Sequence, residues 1–204
     1  IARTLFGADK ADEGKIFIEG REVQLNSPTD GIKTGIALVP EDRKKQGLAS
    51  LLSVKTNINL ANYRSISRFG IVSSSKETQK AQQYVDVLNI KTPDLERKVR
   101  YLSGGNQQKV VIAKWLNVKS DVVILDEPTV GVDIGAKMEI YELLAKLTHE
   151  GTGVIFISSY LPEVIGVSDR ILVICNGRVT GELTRDEATE DKVLDLAFQF
   201  KMVL

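Results

Sequence analysis

Several features that would assign this sequence to a familiar class are absent from its 204 residues. The single cysteine, Cys175, has no partner for an internal disulfide and fits a reducing compartment. No apolar run approaches the length of a membrane span, and no segment has the pattern of a signal peptide. Basic and acidic residues both number 27, and the zero net charge argues against a dedicated nucleic-acid binder. The length is sufficient for one domain with a full core.

The G-x-x-x-x-G-K-[ST] phosphate loop is also absent, yet two stretches are typical of nucleoside triphosphate chemistry. Residues 101–108 (YLSGGNQQ) form a glycine-rich turn that runs into an apolar helical pattern, and such turns bind anions at a helix N-terminus. Residues 121–129 (DVVILDEPT) have the pattern of a buried strand that ends in two adjacent carboxylates. Two carboxylates at one edge of a sheet can hold Mg²⁺ and activate water.

Hydrophobic periodicity predicts an α/β fold. From residue 121 onward strands and helices alternate, which is typical of a parallel sheet covered by helices. Residues 48–102 contain no strong strand pattern, so we expect a helical insert within one domain that spans residues 1–204. Predicted strands cover residues 15–19, 35–40, 122–125, 154–157, 171–175 and 178–183, with a hairpin turn at Asn176-Gly177. Predicted helices cover residues 76–88, 106–116, 136–147 and 162–165, and residues 65–75 are predicted to be a polar connection.

Three residues of the glycine-rich turn are suited to binding a phosphate. Gly104 and Gly105 allow the backbone to approach an anion closely, because no Cβ intrudes. Ser103 offers a hydroxyl, and the following helix points its positive end at the anion. The alternative is that Ser103 is the N-cap of an ordinary helix.

The two acids after the predicted strand at residues 122–125 are suited to different roles. We expect Asp126 to hold the hydration shell of Mg²⁺ and Glu127 to orient or polarise an attacking water. A solvated acidic turn is the alternative, but it does not explain why four apolar residues lead both acids directly into Pro128-Thr129. Asp133, taken alone, is more typical of a helix N-cap.

Together these motifs resemble those of the ABC-type ATPases. Residues 102–107 resemble the signature L-S-G-G-Q, with Asn106 where glutamine is commoner. Asp126 and Glu127 resemble the Walker B aspartate and the catalytic glutamate, and residues 131–133 resemble the D-loop, whose aspartate meets the opposing subunit. The resemblance implies that ATP is bound by Leu102, Ser103, Gly104, Gly105, Asn106, Gln107 and Asp133.

Two positions depart from the family pattern. Glu41 stands where the family usually has a glutamine, and its carboxylate can still bind Mg²⁺ or water, so the resemblance gives Glu41 and Asp126 as the metal-binding residues. Ser159 stands at the switch-histidine position, where the family's histidine contacts the γ-phosphate. Serine is neutral and short, so we expect a site that this residue completes to hydrolyse poorly. The single histidine, His149, is predicted to be a surface residue at a helix end.

A wider motif set narrows the resemblance to one type of ABC ATPase. Residues 39–43 (VPEDR), 46–48 (QGL), 103–109 (SGGNQQK) and 158–163 (SSYLPE) together resemble the C-terminal nucleotide-binding half of the tandem ATPases of bacterial monosaccharide importers of the ribose, galactose and xylose type. The resemblance covers essentially the whole chain. It implies a P-loop NTPase-like (ABC ATPase) fold: a parallel sheet flanked by helices, an antiparallel β portion and a helical subdomain at about residues 48–102.

The same resemblance implies the ligands, partners and location. ATP and Mg²⁺ are the expected ligands. The expected partners are the N-terminal ATPase half of the same protein, a membrane permease and, indirectly, a sugar-binding protein, with no nucleic acid. The expected location is peripheral, on the cytoplasmic face of the bacterial inner membrane. Importers of nucleosides and other small solutes share similar ATPases, so the solute stays open.

The family's phosphate-loop strand is expected to precede Ile1, so we expect this chain to be a piece of a longer protein. The resemblance implies that this strand lies inside the sheet, next to the strands predicted at residues 154–157 and 171–175. Its removal would leave strand edges open, so we expect the sheet to rearrange, to borrow a strand from a neighbouring copy, or to be ordered only within a larger protein.

Three functions are compatible with these motifs. The leading one is the ATPase half of a sugar importer, and the second is a nucleotide-responsive interaction module that hydrolyses nothing itself. For the isolated chain the second description fits better, and we expect neither ATP binding nor turnover above background. The third, an ABC ATPase of translation or DNA repair, is disfavoured by the neutral charge and by the sugar-importer motifs.

Overall fold

The computed structural model describes residues 1–198, which fall into two compact units, Ile1–Ile155 and a second unit that begins at Phe156. In chain order the helices and strands are α1 (Ala2–Leu5), β1 (Ile16–Ile18), β2 (Arg21–Val23), α2 (Pro28–Lys33), β3 (Ile36–Val39), α3 (Val54–Asn59), α4 (Tyr63–Ile66), β4 (Ser67–Arg68), β5 (Ile71–Val72), α5 (Ser74–Val87), α6 (Gly104–Leu116), β6 (Val122–Asp126), α7 (Ile134–His149), β7 (Gly153–Ile157), α8 (Leu161–Val167), β8 (Arg170–Cys175), β9 (Arg178–Thr184) and α9 (Glu190–Phe198). A π-helical turn covers Arg43–Gly47, and a 3₁₀ turn covers Val99–Tyr101.

A three-stranded sheet with the order β3-β6-β7 forms the centre of the first unit. β3 and β6 are parallel, with Ile36 opposite Val122 and Val39 opposite Leu125. All four residues of β3 are buried, and so are the three central residues of β6. Continuous apolar runs of this kind are typical of parallel strands covered on both faces.

α6 packs against β3 and is the helix that carries the glycine-rich turn. Its side chains from Gln107 to Trp115 are all buried. Phe6, which ends α1, meets Trp115 edge to face with ring centroids 5.1 Å apart. The N-terminus of α6 is therefore fixed by a buried helix rather than by a mobile loop.

The insert predicted at residues 48–102 is mostly helical, and buried asparagines tie it to α6. Asn57 bonds the backbone of Ala49 through both its Oδ1 and its Nδ2, at 2.8 and 3.1 Å. Asn117, just past α6, donates to the carbonyl of Ile58 and to Oδ1 of Asn59, both at 3.1 Å. Buried amides must be satisfied in this way, so the network fixes the position of α3 on α6. The stretch at residues 65–75, predicted to be a polar connection, contains the short β4-β5 hairpin.

The second unit contains an antiparallel pair, β8 and β9, and the helices α8 and α9. Its core consists of Ile171, Val173, Ala188 and Val193. A bulge between Val173 and Ile174 shifts the register of the pair.

The pairing of the predicted strand at residues 171–175 differs from the expectation. It was expected in a parallel sheet, whereas β8 pairs with β9 alone in the described chain. The reason is local: Asn176 and Gly177 both have positive φ, 49° and 77°, and form the tight hairpin turn that the sequence predicts. The expected rearrangement of the sheet and the strand exchange with a second copy both stay predictions.

Candidate functional site

Two acidic segments meet at the carboxyl ends of neighbouring strands. Because Val39 of β3 lies opposite Leu125 of β6, the residues that follow the two strands emerge at the same edge of the sheet. Glu41 and Glu127 are both close enough to Asp126 to affect its ionisation. The structure therefore brings together three residues that the sequence predicted separately.

The electrostatics of this acidic cluster favour a cation. The pKa of the Asp126 carboxyl is raised, first because it is partly buried and then because Glu41 and Glu127 place negative charge nearby. Within residues 1–198, no group of three or more His, Cys, Asp or Glu side chains is arranged to hold a metal ion by itself. A pair of carboxylates such as Asp126 and Glu41 can bind Mg²⁺ when phosphate oxygens and water supply the other ligands, and this metal site stays a prediction.

Glu127 has an unusual backbone conformation. Its φ is 46°, in the left-handed region that non-glycine residues rarely adopt. β6 ends at Asp126, so the chain turns sharply at the residue expected to act on water. Backbone strain of this kind concentrates at functional sites, because the surrounding structure must hold it in place.

The glycine-rich turn is the N-terminus of α6, and Ser103 is its N-cap. Oγ of Ser103 accepts hydrogen bonds from the backbone nitrogen of Asn106 at 3.5 Å and from its Nδ2 at 2.9 Å. Oδ1 of Asn106 in turn accepts from the backbone nitrogen of Lys91 at 2.7 Å. Ser103 is the acceptor in both of its hydrogen bonds, so these bonds do not use its hydroxyl proton. The hydroxyl can therefore donate a hydrogen bond to a phosphate oxygen. The N-cap alternative is thus correct as a structural role and leaves room for the anion-binding role.

Gly104 and Gly105 lie where a side chain would be crowded. A Cβ on Gly104 would lie 2.7 Å from the carbonyl oxygen of Gly131 and 2.9 Å from Nη2 of Arg43, so the backbone would have to shift. A Cβ on Gly105 would lie 3.0 Å from Cβ of Ala136 and 3.2 Å from Oδ2 of Asp133, which is tight but needs only a small adjustment. Glycine is therefore required most strictly at residue 104, where the signature turn packs directly on the turn that precedes α7.

Asp133 is the N-cap of α7, as its local pattern suggested. Its Oδ1 accepts a 3.0 Å hydrogen bond from the backbone nitrogen of Ala136. Since its other oxygen faces Gly105, the structure places Asp133 beside the signature turn. The contact with an opposing subunit that the D-loop resemblance implies stays a prediction.

Comparison with known proteins identifies the family. A sequence model described as ABC transporter matches residues 1–130. The chain belongs to the ABC transporter family. The part that matches includes β3, the signature turn and β6, which together carry the acids and the glycines described above.

Curated relatives of this ABC transporter chain are sugar import proteins. It is 50% identical over 195 residues to the xylose import ATP-binding protein of Thermoanaerobacter pseudethanolicus, covering 95% of this chain and 39% of that protein. It is 49% identical over 197 residues to a ribose import ATP-binding protein of Bacillus cereus, covering 97% of this chain and 40% of that protein. The chain thus spans about two fifths of the length of these relatives.

Solved structures support the fold. A nucleotide-free ATP-binding cassette from an ABC transporter superposes with a TM-score of 0.79 at 20% identity, covering 96% of this chain and 81% of that chain. A dimeric ATP-binding cassette in a post-hydrolysis state, bound to ADP and Pi, gives 0.77 at 23% identity, covering 90% and 78%. The predicted ABC ATPase fold, with its parallel sheet, helices and antiparallel strands, is therefore confirmed. None of the helices in residues 1–198 has the length and apolarity to span a membrane.

Two further predicted site residues of this ABC chain, Gln107 and Ser159, lie in different surroundings. Gln107 is buried, and its Nε2 donates to the carbonyls of Val99 and Leu102, both at 3.2 Å, so its side chain supports the backbone before the signature turn. A direct contact of Gln107 with ATP stays a prediction. Ser159 belongs to the second unit, between β7 and α8, and its role at the switch-histidine position also stays a prediction. His149 is exposed at the end of α7, as predicted.

The structure adds Arg43 to the residues around the signature turn. Its Nη1 donates to the carbonyl of Val130 at 2.8 Å, and its Nη2 to the carbonyl of Gly131 at 3.4 Å. In the sequence, Arg43 is visible only as the last residue of the 39–43 motif. Its partners are 87 and 88 positions away, and no periodicity or local motif predicts a contact at that separation.

Proposed function

We propose that this chain is the C-terminal ATP-binding half of a bacterial monosaccharide importer. One observation carries the proposal: the signature turn at the N-terminus of α6 packs on the turn that ends at Asp133, so the glycines and the D-loop aspartate form one surface. The sugar import relatives support the solute class. Because those relatives are about two and a half times longer than this chain, a second ATPase half on the N-terminal side fits the remaining length.

The two halves would stack head to tail, with ATP held between them. In this arrangement Ser103, Gly104 and Gly105 complete the site whose phosphate loop belongs to the N-terminal half. The Ser103 hydroxyl donates to a phosphate oxygen, and the first amides of α6 point toward the negative charge. Asp133 lies beside them and faces the opposing half.

A second and weaker site would contain Asp126, Glu127 and Glu41. Asp126 and Glu41 would hold Mg²⁺, which neutralises charge on the phosphates when it is bound. Glu127 would orient the attacking water. Ser159 stands in place of the switch histidine, so residue 159 has no imidazole N–H that could donate a hydrogen bond to the γ-phosphate. The serine at this position favours the second function considered above, in which the chain is a catalytically silent half that responds to nucleotide.

The permease would bind in a groove that residues 41–52 form with the rest of the helical subdomain at residues 48–102. Leu51 and Leu52 in this region are exposed, at 62% and 43%. Exposed leucines of this kind suit an apolar face of a permease helix. Closure of the two halves around ATP would then move the permease, and hydrolysis would release the closed state. The protein would act at the cytoplasmic face of the inner membrane.

Reconstitution tests the proposal directly. The full-length protein is assembled with its permease in liposomes, and uptake of ribose, galactose and xylose from the cognate binding protein is measured with and without ATP. We expect ATP-dependent uptake of at least one of these monosaccharides. ATP hydrolysis without uptake of any monosaccharide would contradict the sugar assignment and leave the ABC ATPase assignment standing.

A further inference from the structure

Arg43 lies where three segments of the first unit meet. Its two terminal nitrogens donate to the carbonyls of Val130 and Gly131, which precede Asp133. The same guanidinium lies against the signature turn, because a Cβ on Gly104 would be 2.9 Å from its Nη2. One side chain thus touches both sequence motifs that the proposed function assigns to the interface between the two ATPase halves.

The bonding of Arg43 is unusual for an arginine. In the part of the chain that the structure describes, it makes no ion pair, and its Nε is buried without a hydrogen-bond partner. An arginine fork usually binds a carboxylate or a phosphate in a bidentate manner. Here the fork spans two successive backbone carbonyls, so its planar geometry fixes their relative orientation.

The segment that carries Arg43 is anchored at its other end as well. Oδ1 of Asp42 caps the turn at Arg43–Gly47 by accepting from the backbone nitrogens of Lys44 and Lys45, both at 3.1 Å. At the end of the turn, the carbonyl of Gly47 accepts a 2.7 Å bond from the buried Nζ of Lys114 in α6. Hydrogen bonds therefore hold the turn at both ends, by the Asp42 cap at its start and by Lys114 of α6 at its end.

From these contacts we propose that Arg43 is a positioning residue that couples the segment at residues 41–52 to the signature turn and the D-loop. This inference rests on the proposed function, because it takes residues 41–52 as the side that faces the permease. A displacement of that segment would pull the carbonyls of Val130 and Gly131 and shift the turn on which Gly104 packs. Arg43 acts through these backbone groups and touches no substrate.

The test compares Arg43→Ala and Arg43→Lys with the matched control Arg21→Ala in the full-length protein reconstituted with its permease. Arg21 is an exposed arginine of β2, outside residues 41–52, and Arg21→Ala removes the same charge as Arg43→Ala. We expect both Arg43 variants to lower kcat for ATP at least tenfold while KM for ATP changes less than threefold. Lysine does not rescue, since it has no planar fork for two carbonyls. Arg21→Ala stays within twofold of the parent in both constants.

Hydrogen exchange supplies a readout that does not depend on turnover. The amides of Val130 and Val132 donate to the carbonyls of Glu127 and Thr129 within the turn that Arg43 holds. We expect them to exchange at least fivefold faster in both Arg43 variants than in Arg21→Ala. If Arg43→Ala fails to fold, Arg43→Lys carries both measurements.

Each result bears on the proposal. Parental kcat in either Arg43 variant, a loss that appears equally in Arg21→Ala, or unchanged exchange at residues 127–133 overturns the positioning role. If the unmodified protein shows no ATP turnover, the proposed function fails, and the exchange measurement alone decides on Arg43.

Discussion

Lys114 is a residue whose environment opposes its charge. It is buried in α6, and its Nζ donates to the carbonyl of Gly47. Burial lowers its pKa from 10.5 to about 8. Below about pH 8 the lysine is charged in both folded and unfolded chains, and the folded state carries the full penalty of burying it. Between about 8 and 10.5 the folded state releases the proton first, so the penalty is relieved and stability rises.

Lys114→Met removes this dependence on pH. Between pH 7.5 and 9.5, we expect the parent protein to gain about 2 kcal/mol of unfolding free energy relative to Lys114→Met, since each pKa unit corresponds to about 1.4 kcal/mol. Urea unfolding of the full-length protein at the two pH values measures the difference. Parallel curves for the two proteins would show that Lys114 keeps an ordinary pKa.

At the scale of one element, α7 depends on Asp133 in two separable ways. Its Oδ1 caps the helix, while its position beside Gly105 serves the proposed interface. Asn caps helices as well as Asp does, whereas Ala does not.

Asp133→Ala is expected to lower the unfolding free energy by about 1 kcal/mol, and Asp133→Asn by less than half of that, because the amide oxygen still accepts from the amide of Ala136. If the carboxylate meets the opposing ATPase half, Asp133→Asn lowers ATP turnover despite its preserved stability. Urea unfolding and steady-state ATPase rates of the two variants measure the effects. Full turnover in Asp133→Asn would leave Asp133 as a cap alone.

The sequence predicts single elements well where local physics decides them. The helix predicted at residues 106–116 is observed at Gly104–Leu116, and the strand predicted at 122–125 is observed at Val122–Asp126. In both cases an apolar period is bounded by a residue that ends or caps the element, Ser103 for the helix and Glu127 for the strand.

The contacts between elements could not be predicted in the same way. The fork of Arg43 and the network of Asn57, Asn59 and Asn117 join residues far apart in sequence. Polar side chains in a sequence suggest exposure, and only the folded chain shows that these amides are buried and satisfied. The hairpin of β8 and β9 was predicted from Asn176-Gly177, whereas the expected place of β8 in a parallel sheet was wrong, because alternation of strands and helices does not reveal which strands are neighbours.

At the scale of the whole molecule, the proposed function assigns the signature turn to an ATP site on the other half and the acids of this chain to a second, weaker site. Ser159→His restores the histidine that the family pattern has at this position. If that site is only regulatory, ATP turnover by the full-length protein stays within about twofold of the parent. A large gain in steady-state rate would mean that the missing histidine was the only defect of the site.

The most direct measurement of this division compares Gly104→Ala with Glu127→Gln in the full-length protein. A Cβ at Gly104 would lie 2.7 Å from the carbonyl oxygen of Gly131, so the signature surface must shift, while Glu127→Gln removes one charge from the weaker site. Gly166→Ala is the control, since a Cβ there meets nothing within 4 Å. The account predicts at least a twentyfold loss of ATP turnover in Gly104→Ala and at least half of the parental rate in both Glu127→Gln and Gly166→Ala. Loss of turnover in Glu127→Gln with retention in Gly104→Ala would contradict it.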